Sequence, residues 1–200
     1  MVNILGYRDY PTAPWKNGKG VTREIMKVET GEDGFDWRLS LAEVAESGPF
    51  SRFDGYERTI TLLNGQGFSL NFDDNTSAVL DTLHQPYDFD GGASLQCELL
   101  HNMCQDLNLM VRPERIAARW QVIILDPEEP VTFEAAPGIT QIIFCLEGGA
   151  QINSTDDRPH TLGAWDCALL TADDPEAITV GVAPHSTPKI FHAELEELER

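Results

Sequence analysis

ITLLNGQGFSL, residues 60–70, and IIFCLEGGAQI, residues 142–152, set how the rest of the chain is read. Each is an apolar strand that ends on an amide or acidic residue, turns on glycine and starts a second strand. Asn64-Gly65 accepts the positive φ values of a tight hairpin turn, and Glu147-Gly148-Gly149 can do the same. Two copies of one strand-rich unit, offset by about eighty residues, indicate a tandem β-barrel. Working outward, short period-two or continuously apolar runs recur between Gly, Pro, Asn and Asp. They are Val21–Val28, Trp37–Val44, Arg58–Leu63, Gly67–Phe72, Asp106–Val111, Trp120–Leu125, Thr140–Leu146 and Ala177–Val182. Short strands at such spacing are the mark of an all-β barrel or sandwich. The expected division is a first barrel over residues 1–112 and a second barrel with its tail over 113–200, packed as one compact unit. Pro113–Ala118 reads as a short helical turn or linker, and AELEELER (Ala193–Arg200) as a terminal helix with a charged face.

The formal net charge is −19 and the isoelectric point about 4.4. An acidic surface repels phosphate backbones and anionic lipid, so nucleic-acid and membrane partners are not expected. The first fifteen residues, MVNILGYRDYPTAPW, carry no basic segment followed by an apolar run, so they do not read as a secretory signal. Cys97, Cys104, Cys145 and Cys167 lie among apolar neighbours with no C-x-x-C pair, which fits reduced core thiols of a cytoplasmic protein.

Alternation along the strands places the charges. From Tyr56 to Leu62 the even positions are Tyr56, Arg58, Ile60 and Leu62, an apolar face except for Arg58, so Arg58 is expected to point inward. A guanidinium buried without a partner is costly, and something anionic should meet it. On neighbouring strands Thr22, Glu24 and Met26 share a face, as do Arg38, Ser40 and Ala42, and Asp106, Asn108 and Met110. If these line one cavity, it holds Thr22, Glu24, Arg38, Ser40, Arg58 and Asn108. One carboxylate cannot neutralise two arginines, and the residual charge suits a small carboxylate held by an arginine fork. The competing reading pairs Glu24 with one arginine and sends the other to solvent. The loop PWKNGKGVTRE (Pro14–Glu24) places Trp15, Lys16 and Asn17 where they can close a pocket mouth. It lacks the spacing of a phosphate loop and leads into a strand rather than a helix.

A metal site in such a barrel needs imidazole and carboxylate ligands converging on one face. His84, His101, His160, His185 and His192 include no H-x-H pair, and Asp54-Gly55-Tyr56 stands where one is expected, so no metal and no other cofactor is anticipated. The histidines read as loop or surface residues. No G-x-S-x-G elbow or Cys–His pairing is present, so no catalytic residue is assigned.

Three stretches resemble the HutD/Ves family: PWKNGKGVTREI (Pro14–Ile25), FDWRLSLAEVAESGPFSRFDGYERTITLLNGQGFSL (Phe35–Leu70) and DLNLM (Asp106–Met110). From about Arg112 onward the likeness is mainly one of strand pattern. The resemblance implies a bicupin, two double-stranded β-helix barrels without the usual cupin metal ligands. It also implies a pocket in the first barrel whose recurrent polar positions fall on Lys16, Asn17, Thr22, Glu24, Arg38, Ser40, Arg58 and Asn108. One branch of the family is associated with histidine utilisation and is thought to tune that pathway by binding a product such as formylglutamate; the other is named for induction by environmental stress. Lys19 stands at a variable position between the two loop glycines and matters to an anion only if it faces the pocket. The expectation is a regulatory protein that binds a small carboxylate. A metal-independent isomerase or hydrolase using Glu24 as base, and an interaction module that pairs with another protein or forms a homodimer, remain open.

Overall fold

The computed structural model describes residues 2–15, 18–29, 34–154, 158–174 and 177–198. In chain order the strands are β1 (Asn3–Leu5), β2 (Thr12–Pro14), β3 (Gly20–Glu29), β4 (Phe35–Val44), β5 (Gly48–Pro49) and β6 (Glu57–Asn64). There follow β7 (Phe68–Phe72), β8 (Ser77–Leu80), β9 (Pro86–Asp90), β10 (Leu95–Leu99), β11 (Cys104–Val111), β12 (Ile116–Ile124) and β13 (Val131–Glu134). The last are β14 (Ile139–Glu147), β15 (Ala150–Ser154), β16 (His160–Leu162), β17 (Cys167–Leu170), β18 (Ala177–Val182) and β19 (Lys189–Glu197). One 3-10 turn, Tyr7–Asp9, interrupts them. Among the described residues no helix is long and apolar enough to cross a membrane.

The strands form two compact units, Pro11–Glu114 and Met1–Tyr10 with Arg115–Arg200. The sequence reading keeps residues 1–112 together. In the structure the first ten residues group with the second unit, because β1 pairs with β17, Ile4 opposite Ala168.

Sheet order shows the duplication directly. The first unit has sheets β2-β3-β4-β11-β6-β9 and β5-β10-β7-β8; the second has β1-β17-β14-β19-β12 and β13-β18-β15-β16. Strands β4 to β11 and β12 to β19 therefore repeat one connectivity strand for strand. The two hairpins read from the sequence are β6–β7 and β14–β15, at equivalent places. Gly65 and Gly148 turn them with φ of 97° and 75°, a conformation in which a Cβ would be strained. Each unit closes around its own apolar core. Ile60, Leu62, Phe68, Leu70 and Cys97 are central to the first, and Ile143, Cys145, Ile152, Leu170 and Val180 to the second.

Three local expectations are corrected. The described part of AELEELER is not helical, its last two residues lying outside the described ones: Lys189–Glu197 is β19, paired along its length with β12 and with β14. Its alternation buries Ala193 and Leu195, and a central place between two strands outweighs the helix propensity of Glu and Leu. Pro113–Arg115 forms a turn, but Ile116–Ala118 already belongs to β12. Met26 does not share the face of Thr22 and Glu24. A bulge between Glu24 and Met26 sets Met26 opposite Leu39, where unbroken alternation would pair it with Arg38.

Candidate functional site

Strands β3, β4, β11 and β6 lie side by side and fix the site through register. Met110 sits between Arg38 and Arg58, Asn108 between Ser40 and Ile60, and Asp106 between Ala42 and Leu62. Glu24 is opposite Ser40, and Thr22 opposite Ala42. These rows border a cavity of about 590 Å³ within the first unit, which not every one of their side chains reaches. Trp15, Thr22, Arg38, Ser40, Arg58, Asp106 and Asn108 line it, with Phe50 and Phe53 among its apolar walls.

Arg58 does point inward and is 5% exposed. Its guanidinium carbon lies 4.9 Å from the ring centre of Phe89, 5.4 Å from that of Phe50 and 5.6 Å from that of Phe53. One long hydrogen bond, Nη1 to the Ser51 carbonyl at 3.4 Å, is its polar contact, and Nε has no partner. Burial pulls its pKa down to about 10, Asp106 opposes that pull and Arg38 adds to it. Gly91 makes room here, since a Cβ there would stand 2.8 Å from the Tyr56 carbonyl oxygen and 3.2 Å from Arg58 Cδ.

The other expected residues divide. Arg38 Nε donates to Glu24 Oε2 at 3.0 Å, so this arginine already has its acid. Glu24 stands behind Arg38 and does not line the cavity. Ser40 and Asn108 are buried, and Asn108 Oδ1 has no hydrogen-bond donor. Trp15 Nε1 donates to Thr22 Oγ1 at 2.8 Å, which holds the indole as a wall. Gly20 permits this, because a Cβ would collide with the Glu43 carbonyl oxygen and stand 2.8 Å from the indole. Lys19 does not line the cavity, and its Nζ donates to the Ser47 carbonyl at 2.8 Å. Lys16 and Asn17 lie outside the described residues.

Asp106 is a cavity-lining residue that the sequence reading left out of the site. It is fully buried, neither carboxylate oxygen has a hydrogen-bond partner, and burial pushes its pKa up to about 7 against the pull of Arg58. The signal was present, since it has the parity of Asn108.

The equivalent rows of the second unit give an internal comparison. By strand equivalence Arg119, Glu194 and Gln141 take the places of Arg38, Met110 and Arg58. Gln121 and His192 replace Ser40 and Asn108, and Ile190 replaces Asp106. Here every polar group is answered. Arg119 pairs with Glu194 at 3.0 Å, and Gln141 Nε2 donates to the same carboxylate at 3.2 Å. Gln141 Oε1 meets His192 Nε2 at 2.7 Å, and Gln121 Nε2 meets Nδ1 at 3.3 Å. His192 is thus a buried member of a hydrogen-bonded row rather than a surface residue. Among the described residues no group of three or more His, Cys, Asp or Glu is placed to hold a metal ion.

A duplicated barrel whose second copy satisfies its polar row internally, while the first leaves Arg58 Nε and the Asp106 carboxylate without hydrogen-bond partners beside a cavity, is a two-barrel protein of the cupin type. The fold is shared with the Lactobacillus farciminis oxalate decarboxylase, at a TM-score of 0.63 and 10% identity over 96% of this chain and 85% of that one. The chain belongs to the HutD family, whose model matches residues 7–187. An uncharacterized 21.2 kDa protein in the hutC 3′ region of Pseudomonas putida is 37% identical over 87% of this chain and 89% of its own length. Protein Ves of Citrobacter koseri is 36% identical over 72% and 73%, respectively. The structure of HutD from Pseudomonas fluorescens SBW25 superposes over the whole of both chains with a TM-score of 0.83 and 31% identity.

Proposed function

We infer that the first barrel binds a small carboxylate on Arg58 and that the protein acts as a sensor rather than by converting the acid. The observation that carries this reading is the buried guanidinium whose Nε has no partner, at the wall of a cavity of about 590 Å³. Its polar neighbours supply little to satisfy it. Met110 occupies the cross-strand place beside it, and Glu24 is engaged by Arg38. A carboxylate provides the acceptor pair that a guanidinium fork requires. Family membership favours an acid of histidine degradation, formylglutamate or a related compound, and a role in tuning that pathway.

Calorimetry with formylglutamate, urocanate and formate, on the intact protein and on Arg58→Ala, tests this. The variant is expected to lose about a hundredfold or more in affinity, the scale of removing a buried charge-assisted contact. No binding by any of the three acids, or equal affinity in the variant, refutes it. Conversion of a bound acid that disappears in Glu24→Gln would make the protein an enzyme instead.

A further inference from the structure

Seating an acid on Arg58 leaves the charge of Asp106 unbalanced. Asp106 is 0% exposed, and both its oxygens are without a donor. Few ionisable groups face it. Arg58 comes from β6, and Arg38, from β4, is already bound to Glu24 of β3. Buried Cys97 of β10 and Cys104 of its own strand are thiols. Arg58 is the cation whose field reaches Asp106, yet neither Asp106 oxygen takes a hydrogen bond from its guanidinium.

Charge accounting then decides what can enter. With Asp106 ionised, Arg58 and Arg38 balance Glu24 and Asp106, and these four groups sum to zero charge. A carboxylate placed on Arg58 would leave one uncompensated negative charge among Phe50, Phe53 and Phe89, the costliest arrangement in an apolar cage. Protonating Asp106 restores neutrality. We propose that Arg58 and Asp106 form a proton-coupled receptor: each carboxylate seated on Arg58 enters together with one proton, which bonds to a carboxylate oxygen of Asp106 and is supplied by solvent or buffer acid.

Two independent features support this. The second barrel has Ile190 at the equivalent position, so the fold does not itself require an acid there. Burial also already holds the Asp106 carboxyl up at about 7, and the guest would mask the one cation that opposes this. The inference rests on the reading of Arg58 as the carboxylate anchor.

The test is titration calorimetry of sodium formate and of formylglutamate into the intact protein at about pH 8, in phosphate and in Tris, whose heats of ionisation differ. The apparent binding enthalpies are expected to differ by the heat of about one proton taken up per site, and affinity to fall about tenfold per pH unit above neutrality. Asp106→Asn should bind with the same enthalpy in both buffers and with affinity independent of pH. Binding by the unmodified protein with equal enthalpies in the two buffers overturns the coupling while leaving the anion reading intact, provided Arg58→Ala still loses the ligand. No binding of either acid by the unmodified protein overturns both. If Asp106→Asn fails to fold, the two-buffer comparison on the unmodified protein decides alone.

Discussion

Replacing Arg58 by methionine should make the protein more stable while removing its ligand. The drop of the guanidinium from its ordinary value to about 10 corresponds to about 3 kcal/mol held against its charged form. A base whose folded pKa lies below its unfolded value destabilises the fold at every pH below the folded pKa, so the penalty is fully present at neutrality. Three phenylalanine rings around the guanidinium return part of it, about 1–2 kcal/mol. Methionine keeps the length of the side chain and packs on the same rings, so the net gain is about 1–2 kcal/mol. For a chain of this size that raises the melting temperature by about 2–8 °C. The comparison belongs at about pH 6, below the Asp106 pKa, so that losing the cation does not strand an ionised carboxylate. Thermal and urea melts report stability, and calorimetry with formate or formylglutamate reports binding. A variant that melts several degrees lower at that pH, or that still binds either acid, shows that Arg58 is a structural residue and refutes the reasoning.

Three further outcomes follow from the same geometry. Glu24→Gln frees the Arg38 guanidinium from its 3.0 Å contact; it should cost about 1 kcal/mol in urea melts and raise carboxylate affinity several-fold in calorimetry, because the cavity gains a positive charge. Asp106, whose folded pKa lies above its unfolded value of 3.8, contributes stability that is complete below about pH 4 and is lost as pH rises to about 7, on the order of 2–4 kcal/mol. Urea melts across that range should therefore show a decline that Asp106→Asn lacks. Gln141→Arg places a guanidinium at the position equivalent to Arg58 but beside Glu194; calorimetry should find no second carboxylate site, since the new cation has its acid within reach.

The sequence made the barrels legible through repeated hairpins, and Arg58 legible through one polar residue on an otherwise apolar strand face. Both signals are local, because alternation needs no knowledge of partners. What escaped depends on register or on backbone irregularity. Asp106 shares the parity of Asn108, but how deep it lies relative to the arginines follows from Ala42 and Leu62 being its neighbours, which sequence does not state. The bulge at Glu24 reverses the side on which Met26 falls, and nothing in REIMK announces it. The tail AELEELER alternates apolar and acidic residues as well as it forms a helical stripe, and the outcome was set by β12 and β14 on either side. His192 looked peripheral because a single histidine carries no period of its own.

The two barrels then show how little separates a row whose polar groups satisfy one another from one whose groups do not. In both, a cation from the first strand of the repeat stands in the same row as a polar residue from the third. Arg38 with Arg58 form that pair in one barrel, and Arg119 with Gln141 in the other. In the second barrel the central residue of the row is Glu194, which answers both flanking side chains. In the first it is Met110, and the acid lies four residues earlier on the same strand, at Asp106, where the second barrel has Ile190. Four residues along a strand are about 13 Å, far enough that Arg58 feels the carboxylate without donating a hydrogen bond to it. Moving the acid along β11 leaves a guanidinium and a carboxyl that face one cavity and do not satisfy each other. Such a separation is costly to the fold, and a guest bringing a carboxylate to one group and a proton to the other relieves it.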